Sequence, residues 1–146
     1  MRSLGLDVGS KRTGVAISDP EGILALPLTV IHHEGEDASM GDIMKLVEQY
    51  GVERIVIGLP YSLSGGLGQQ AERVMAFAEK LSLRVKQSNL DQVDIQLWDE
   101  RLSTVAAARL MVEAGAKRNR KNAHRDAIAA ALILQGFLDR LKETSL

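Results

Sequence analysis

Three acidic residues far apart along the chain, Asp7, Glu100 and Asp126, stand where a carboxylate could serve chemistry. Asp7 belongs to an alternating run, with Leu4, Leu6 and Val8 facing one way and Ser3, Gly5 and Asp7 the other. Behind it, Gly9 lacks the side chain that would hold a phosphate backbone away. An Asp at this point equally suits the capping of a turn over Gly9–Gly14. Glu100 directly follows the alternating run Val93–Trp98, at a strand end of the kind that presents functional groups to a crevice. A salt bridge with Arg101, or an acid ahead of a helix started by Ser103, also accounts for its type. Asp126 opens the most apolar helical pattern of the chain, where the helix dipole alone favours an anion.

Spacings of 93 residues (7 to 100) and 26 residues (100 to 126) rule out a local metal loop, so these acids meet only if the fold brings them together. Two unit charges about 4 Å apart at an effective dielectric of roughly 20 repel by about 4 kcal/mol, which raises one pKa or calls for a cation. With no cysteine present, oxygen-rich ligation suits Mg²⁺ or Mn²⁺. Two such ions about 3.5–4 Å apart activate a water and stabilise a departing alkoxide in an in-line displacement. That chemistry is phosphodiester hydrolysis.

The charge distribution points to the same class of substrate. The formal net charge is −1, yet residues 117–125 carry Lys117, Arg118, Arg120, Lys121 and Arg125 with no acid among them. The remainder of the chain holds 13 basic residues against 19 acidic ones. Such a cluster can grip a nucleic-acid backbone, with an affinity that falls steeply with salt; it can also be a solubilising loop. Lys11 and Arg12, in the turn after Asp7, are further phosphate candidates. His124 lies within the basic loop and is left out of the catalytic set. Aromatic residues make up 3% of the chain, too few for a base-stacking platform, so phosphates are the handle. The absence of cysteine excludes disulfide scaffolds, zinc ribbons and thiol nucleophiles.

The elements that must position these residues follow from periodicity. Two strands, around Leu4–Val8 and Val15–Ile17, precede a third over Leu24–Ile31, whose Leu24, Leu26, Leu28 and Val30 share one face; Pro27 places it at the sheet margin. Ile43, Leu46, Val47 and Tyr50 mark a helix, with Ser39 as its cap and Gly51 as its stop. The continuous apolar run Arg54–Leu59 reads as a central strand covered on both faces. A glycine-rich loop, Ser62–Gly68, leads into a helix carrying Ala71, Val74, Met75, Ala78, Leu81 and Val85 on one side. After the strand Val93–Trp98, helices are predicted at Ser103–Ala114 and about Ala123–Leu141, the latter with a narrow face of Ala127, Ala130, Ala131, Leu134 and Leu138. Short early turns and later helical crossovers predict an α/β fold with a mixed sheet and helices on both faces.

The 146 residues, 45% hydrophobic and without repeat or linker, suit a single domain over 1–146. Asp7 interrupts the N-terminus too early for a secretory segment, and Ala127–Leu134 is too short to span a bilayer. A cytoplasmic protein with no membrane association is expected.

Four blocks, LGLDVGSKRTGVAISD (4–19), IVIGLPYSLSGGLGQQAERVMAFAEKL (55–81), WDERLST (98–104) and DAIAAALILQ (126–135), resemble the YqgF family. They cover about half the chain, and their order and spacing are specific where any single one is not. The resemblance implies an RNase H-like fold, with a five-stranded sheet of order 3-2-1-4-5 whose second strand is antiparallel. It further implies a nuclease similar to RuvC-type Holliday junction resolvases, with Asp7, Glu100 and Asp126 as the ligands of Mg²⁺ or Mn²⁺. The implied substrate is structured RNA, the 5′ end of pre-16S rRNA in a ribosomal precursor particle; the alternatives are branched DNA or a noncatalytic RNA-binding scaffold. A monomer or weak homodimer is expected; the junction-resolvase alternative would need two active sites and hence a symmetric dimer. The loop after Pro60, Tyr61-Ser62-Leu63-Ser64, departs from the family pattern. An actin-like nucleotide module, suggested by Asp7-Val8-Gly9, needs two related domains, for which the chain has no room.

Overall fold

A computed structural model describes residues 1–60, 68–90, 92–100 and 122–144. Its strands are β1 (Ser3–Val8), β2 (Arg12–Ser18), β3 (Ala25–His32), β4 (Arg54–Leu59) and β5 (Asp94–Asp99); its helices are α1 (Glu36–Tyr50), α2 (Gln69–Gln87) and α3 (Asn122–Thr144). The strands form one sheet of order β3-β2-β1-β4-β5. The β1–β2 and β2–β3 pairs are antiparallel, as their short turns require, whereas β1–β4 and β4–β5 are parallel, α1 returning the chain from β3 to β4 and α2 crossing from β4 to β5. This is the mixed order 3-2-1-4-5 expected from the sequence. The predicted helix at Ser103–Ala114, the residues Arg101, Lys117, Arg118, Arg120 and Lys121, and the loop 61–67 lie outside the described residues.

Period-two alternation sorts the strand residues between two cores. Leu4, Leu6 and Val8 of β1, Val15 of β2 and Ile55, Ile57 and Leu59 of β4 pack beneath α1 and α2, with Ile43, Val47, Val74, Phe77 and Leu81. On the opposite face, Ala16, Val56 and Trp98 meet α3 through Ala130, Ile133, Leu134 and Leu138. Buried on both faces, β4 has the continuous apolar run that its central position demands.

Helix α3 lies unusually close to the sheet. A Cβ on Gly5 would stand 2.7 Å from Leu134 Cβ, one on Gly58 would stand 2.5 Å from Ile133 Cδ1, and one on Gly14 would collide with the Asp126 carbonyl oxygen. These three glycines, one on each of β1, β4 and β2, form the seat of the helix.

Two elements differ from the sequence reading. In β3, the register shifts between Val15 and Ala16 of its partner, so Val15 pairs with Thr29 and Ala16 with Pro27. The extra residue reverses the alternation midway: Ala25 and Ile31 are the buried positions, while Leu24 and Leu26 are 53% and 52% exposed. The expected face of Leu24, Leu26, Leu28 and Val30 is therefore broken. Helix α1 begins at Glu36 with Gly35 as its N-cap, not at Ser39, which is buried inside the first turns and donates its hydroxyl to the Gly35 carbonyl at 3.1 Å. Its stop is as expected, with Gly51 left-handed at φ 62 and its N–H directed to the Glu48 carbonyl.

The β2–β3 turn carries a titratable latch. Asp19 Oδ1 accepts the backbone N–H groups of Ile23 at 2.7 Å and Leu24 at 2.9 Å. These bonds, that of Leu24 foremost, hold the carboxyl below the ordinary aspartate range. A depressed pKa means that the latch contributes above the ordinary value and is lost as pH falls through the lowered one. The amide shifts of Ile23 and Leu24 are expected to titrate together with a midpoint below that of an unfolded Asp, and to lose that transition in Asp19→Ala; a midpoint at or above the ordinary range overturns the latch.

Candidate active site

Asp7 is the penultimate residue of β1, half-buried, on the face that carries Gly5 and hence on the α3 side. Its cross-strand partner is Gly14. Because directly opposed residues share a face, the bare Gly14 leaves open the surface beside Asp7, and the backbone of Asp126 fills it. The small residue on β2 is thus what brings an acid from the C-terminal helix to the flank of Asp7. Asp126 lies one turn inside α3, which begins at Asn122, rather than at the helix mouth. The dipole explanation for it correspondingly weakens, since that effect fades beyond the first turn.

Glu100 follows β5 immediately and is only 5% exposed. Strands β1, β4 and β5 run parallel, so Asp7 and Glu100 lie at the same end of the sheet. One strand separates them. With neighbouring strands about 4.7–4.9 Å apart, their backbones are roughly 10 Å from each other. On the intervening β4, Gly58 pairs with Trp98 and presents no side chain towards α3. Asp7 and Glu100 each have interaction partners already. Among the described residues, no three His, Asp or Glu side chains are gathered at metal-ligand spacing. The sheet thus brings the acids to one end without forming a closed cage.

Arg12 is a cation beside Asp126. Its Nε lies 2.8 Å from Asp126 Oδ2. Arg12 follows the parity of Gly14 and Ala16 on β2, so it approaches from the same face. The contact is an ion pair without hydrogen-bond alignment, and among the described residues Asp126 Oδ2 is a buried oxygen with no hydrogen-bond donor. A hard divalent cation is a chemically suitable partner for such an oxygen, and the donor set of three carboxylates, without sulfur, fits Mg²⁺ or Mn²⁺.

Lys11 is exposed in the β1–β2 turn, which the Gly9 N–H closes on the Arg12 carbonyl at 2.9 Å. A Cβ on Gly9 would stand 2.7 Å from that same oxygen, so the turn itself accounts for this glycine. Arg125 is half-buried in the first turn of α3. The pairing of Arg12 with Asp126 and the glycine seats were not read from the sequence. A signal for the seats was present, since the parities of Gly5, Gly14, Ala16 and Gly58 put the smallest residues on one face. Gln70 also went unread: its Nε2 donates to the Val8 carbonyl at 2.7 Å and ties α2 to the end of the Asp7 strand.

A family model described as RuvX, Holliday junction resolvase, matches residues 1–140. The chain belongs to the RuvX family, of which YqgF is another name. A Moorella thermoacetica relative, named as a candidate pre-16S rRNA nuclease, is 47% identical over 141 residues, covering 97% of this chain and 96% of its own. A Desulforamulus reducens relative of the same name is 42% identical over 139 residues, covering 95% and 97%. Among solved structures, Thermus thermophilus RuvC in complex with a Holliday junction aligns with a TM-score of 0.57 at 14% identity, covering 99% of this chain and 98% of its own. The yeast mitochondrial Holliday junction resolvase Ydc2 aligns with a TM-score of 0.55 at 16% identity, covering 97% and 80%. At these identities the likeness establishes the shared fold, which for this RuvX-family chain is the RNase H-like sheet inferred from its motifs. Among the described residues, no helix is long and apolar enough to cross a membrane.

Proposed function

We propose that this RuvX-family protein is a metal-dependent endonuclease that hydrolyses phosphodiester bonds in structured RNA and trims the 5′ end of pre-16S rRNA. The observation that carries the proposal is the seating of Asp126 through Gly14 beside Asp7, at the sheet end that also bears the buried Glu100. The near full-length match to relatives named for this substrate supports the choice of RNA.

Asp7, Glu100 and Asp126 would hold the metal. When bound, Mg²⁺ or Mn²⁺, proposed as two ions, would lower the pKa of water so that hydroxide is available to attack phosphorus, and would supply positive charge to stabilise the leaving oxygen. The chain's own residues provide the rest. Asp126 is fixed by the helix seat and by Arg12, whose guanidinium offsets the repulsion among the acids. Lys11, Arg12 and Arg125 border the same strand end, and Lys117, Arg118, Arg120 and Lys121 precede α3 in sequence; together they attract the phosphate backbone. The proposed form is a cytoplasmic monomer or weak homodimer that acts on a ribosomal precursor particle.

The test is cleavage of a 5′-extended small-subunit rRNA precursor beside a four-way DNA junction, each with Mg²⁺ or Mn²⁺ and with chelator. RNA cleavage that requires the metal is expected. The family description favours the junction as the second reading, and preferential junction cutting would move the assignment there. Binding without cleavage of either substrate would leave a scaffold.

Neutralising Lys117, Arg118, Arg120 and Lys121 together is expected to weaken RNA binding and to flatten the slope of log affinity against log salt by about 3, at roughly 0.7–0.9 for each phosphate that is no longer neutralised. An unchanged slope in a fluorescence-anisotropy titration returns this segment to a solubilising role.

A further inference from the structure

On the side of the β1 end opposite Asp7 there is a cavity of about 290 Å³. Its walls come from four regions: Val8 and Ser10 at and just beyond the end of β1, His33 and Gly35 ahead of α1, Ser39 in α1 and Arg73 in α2. Among the described residues the lining contains hydroxyls, an imidazole and a guanidinium, and no carboxylate.

Two of these groups are held in place. The His33 Nε2 lies 2.7 Å from Oγ1 of the fully buried Thr13. Arg73 donates through Nη1 to Gln70 Oε1 at 3.1 Å, and Gln70 Nε2 in turn donates to the Val8 carbonyl at 2.7 Å. Arg73 is therefore tethered, through one side chain, to the backbone of the residue that follows Asp7. Of its five N–H groups, this tether uses one.

We infer that the cavity is a phosphate subsite for the substrate strand, with Arg73 as its anchoring cation. This rests on the nuclease reading above and adds to it a second point of attachment. Consecutive strand residues point to opposite faces, so Asp7 addresses the acids and Val8 addresses the cavity across the same strand end. A polynucleotide laid over that end with one phosphodiester at the carboxylates carries a neighbouring phosphate towards Arg73. A planar guanidinium fork matches phosphate oxygens in geometry as well as charge. The subsite would fix the register of the strand on the acids, while the acids themselves, being negative, cannot.

The probe is a short single-stranded RNA titrated in chelator at several salt concentrations, so that the readout is affinity and not cleavage. Arg73→Gln is expected to weaken binding several-fold and to lower the salt slope by about 0.7, the share of one phosphate on a single strand. Arg73→Lys, which keeps the charge, should restore most of the slope. Single neutral methylphosphonate linkages walked along the RNA should reveal one position that costs the wild type affinity and costs Arg73→Gln nothing. The inference is overturned if Arg73→Gln shares the wild-type slope and the wild-type sensitivity at every position, or if the wild type does not bind the RNA. The two readings fail separately: an unchanged slope in Arg73→Gln beside an inactive Glu100→Gln removes the subsite and leaves the nuclease. A lowered slope beside a fully active Glu100→Gln keeps the phosphate site and removes the catalytic assignment.

Discussion

Glu100→Gln is expected to abolish metal-dependent RNA cleavage while leaving the protein folded. The side chain is 5% exposed at the end of β5, and Gln preserves its shape while removing the charge that a divalent cation needs. A metal centre contributes several kcal/mol of transition-state stabilisation, so its loss corresponds to a fall on the order of a hundred- to a thousandfold in rate. The fold should tolerate the change, because burying a neutral amide costs less than burying a carboxylate. Asp7→Asn should behave alike. A second readout separates loss of metal from loss of chemistry. Mg²⁺ or Mn²⁺ at a hundredfold excess over its Kd stabilises a folded protein by about 2.7 kcal/mol, a shift of several degrees in Tm for a chain of this size. Wild type should show that shift and Glu100→Gln should lose most of it. Cleavage equal to wild type in either variant would falsify the catalytic assignment.

How far the sequence carried the structure depends on the kind of signal. The β4 run Arg54–Leu59 was legible because a strand covered on both faces must be continuously apolar, and the position of Glu100 followed once the strand before it was located. The family motifs supplied the strand order, which periodicity alone left open. What escaped were features set by pairing between distant segments. The β3 bulge opposite Val15 and Ala16 is a property of two strands in register, and no pattern within Leu24–Ile31 announces it. Ser39 has the right type for a helix cap, yet Gly35 takes that role, and Ser39 directs its hydroxyl to the Gly35 carbonyl. The pairing of Arg12 with Asp126 escaped because the two are more than a hundred residues apart and meet only through the fold. The acids could be singled out one by one as candidates, whereas their neighbourhood could not: it depends on glycines that are small on one face.

The largest structural effect is accordingly expected at a glycine and not at an acid. In Gly14→Ala the new Cβ meets the carbonyl oxygen of Asp126, which belongs to the backbone of a 23-residue helix and cannot swing aside as a flexible side chain would. The helix must lift at that end, at an overpacking cost of about 1–3 kcal/mol. That lift carries Asp126 away from both Asp7 and Arg12, and misplacement by about 1 Å at a reaction centre can cost on the order of a hundredfold in rate. Gly51→Ala provides the matched comparison. Gly51 sits at φ 62 with nothing within 4 Å of a built Cβ, so Ala there suffers the left-handed backbone penalty of roughly 1–2 kcal/mol and no collision. Both variants should therefore lose similar stability by thermal denaturation, but only Gly14→Ala should lose cleavage by about two orders of magnitude under conditions where both are fully folded. Metal-induced stabilisation should follow the same split. Equal activity of the two variants would mean that the seat at Gly14 positions the helix for packing alone, and that Asp126 need not stand beside Asp7 for the chemistry.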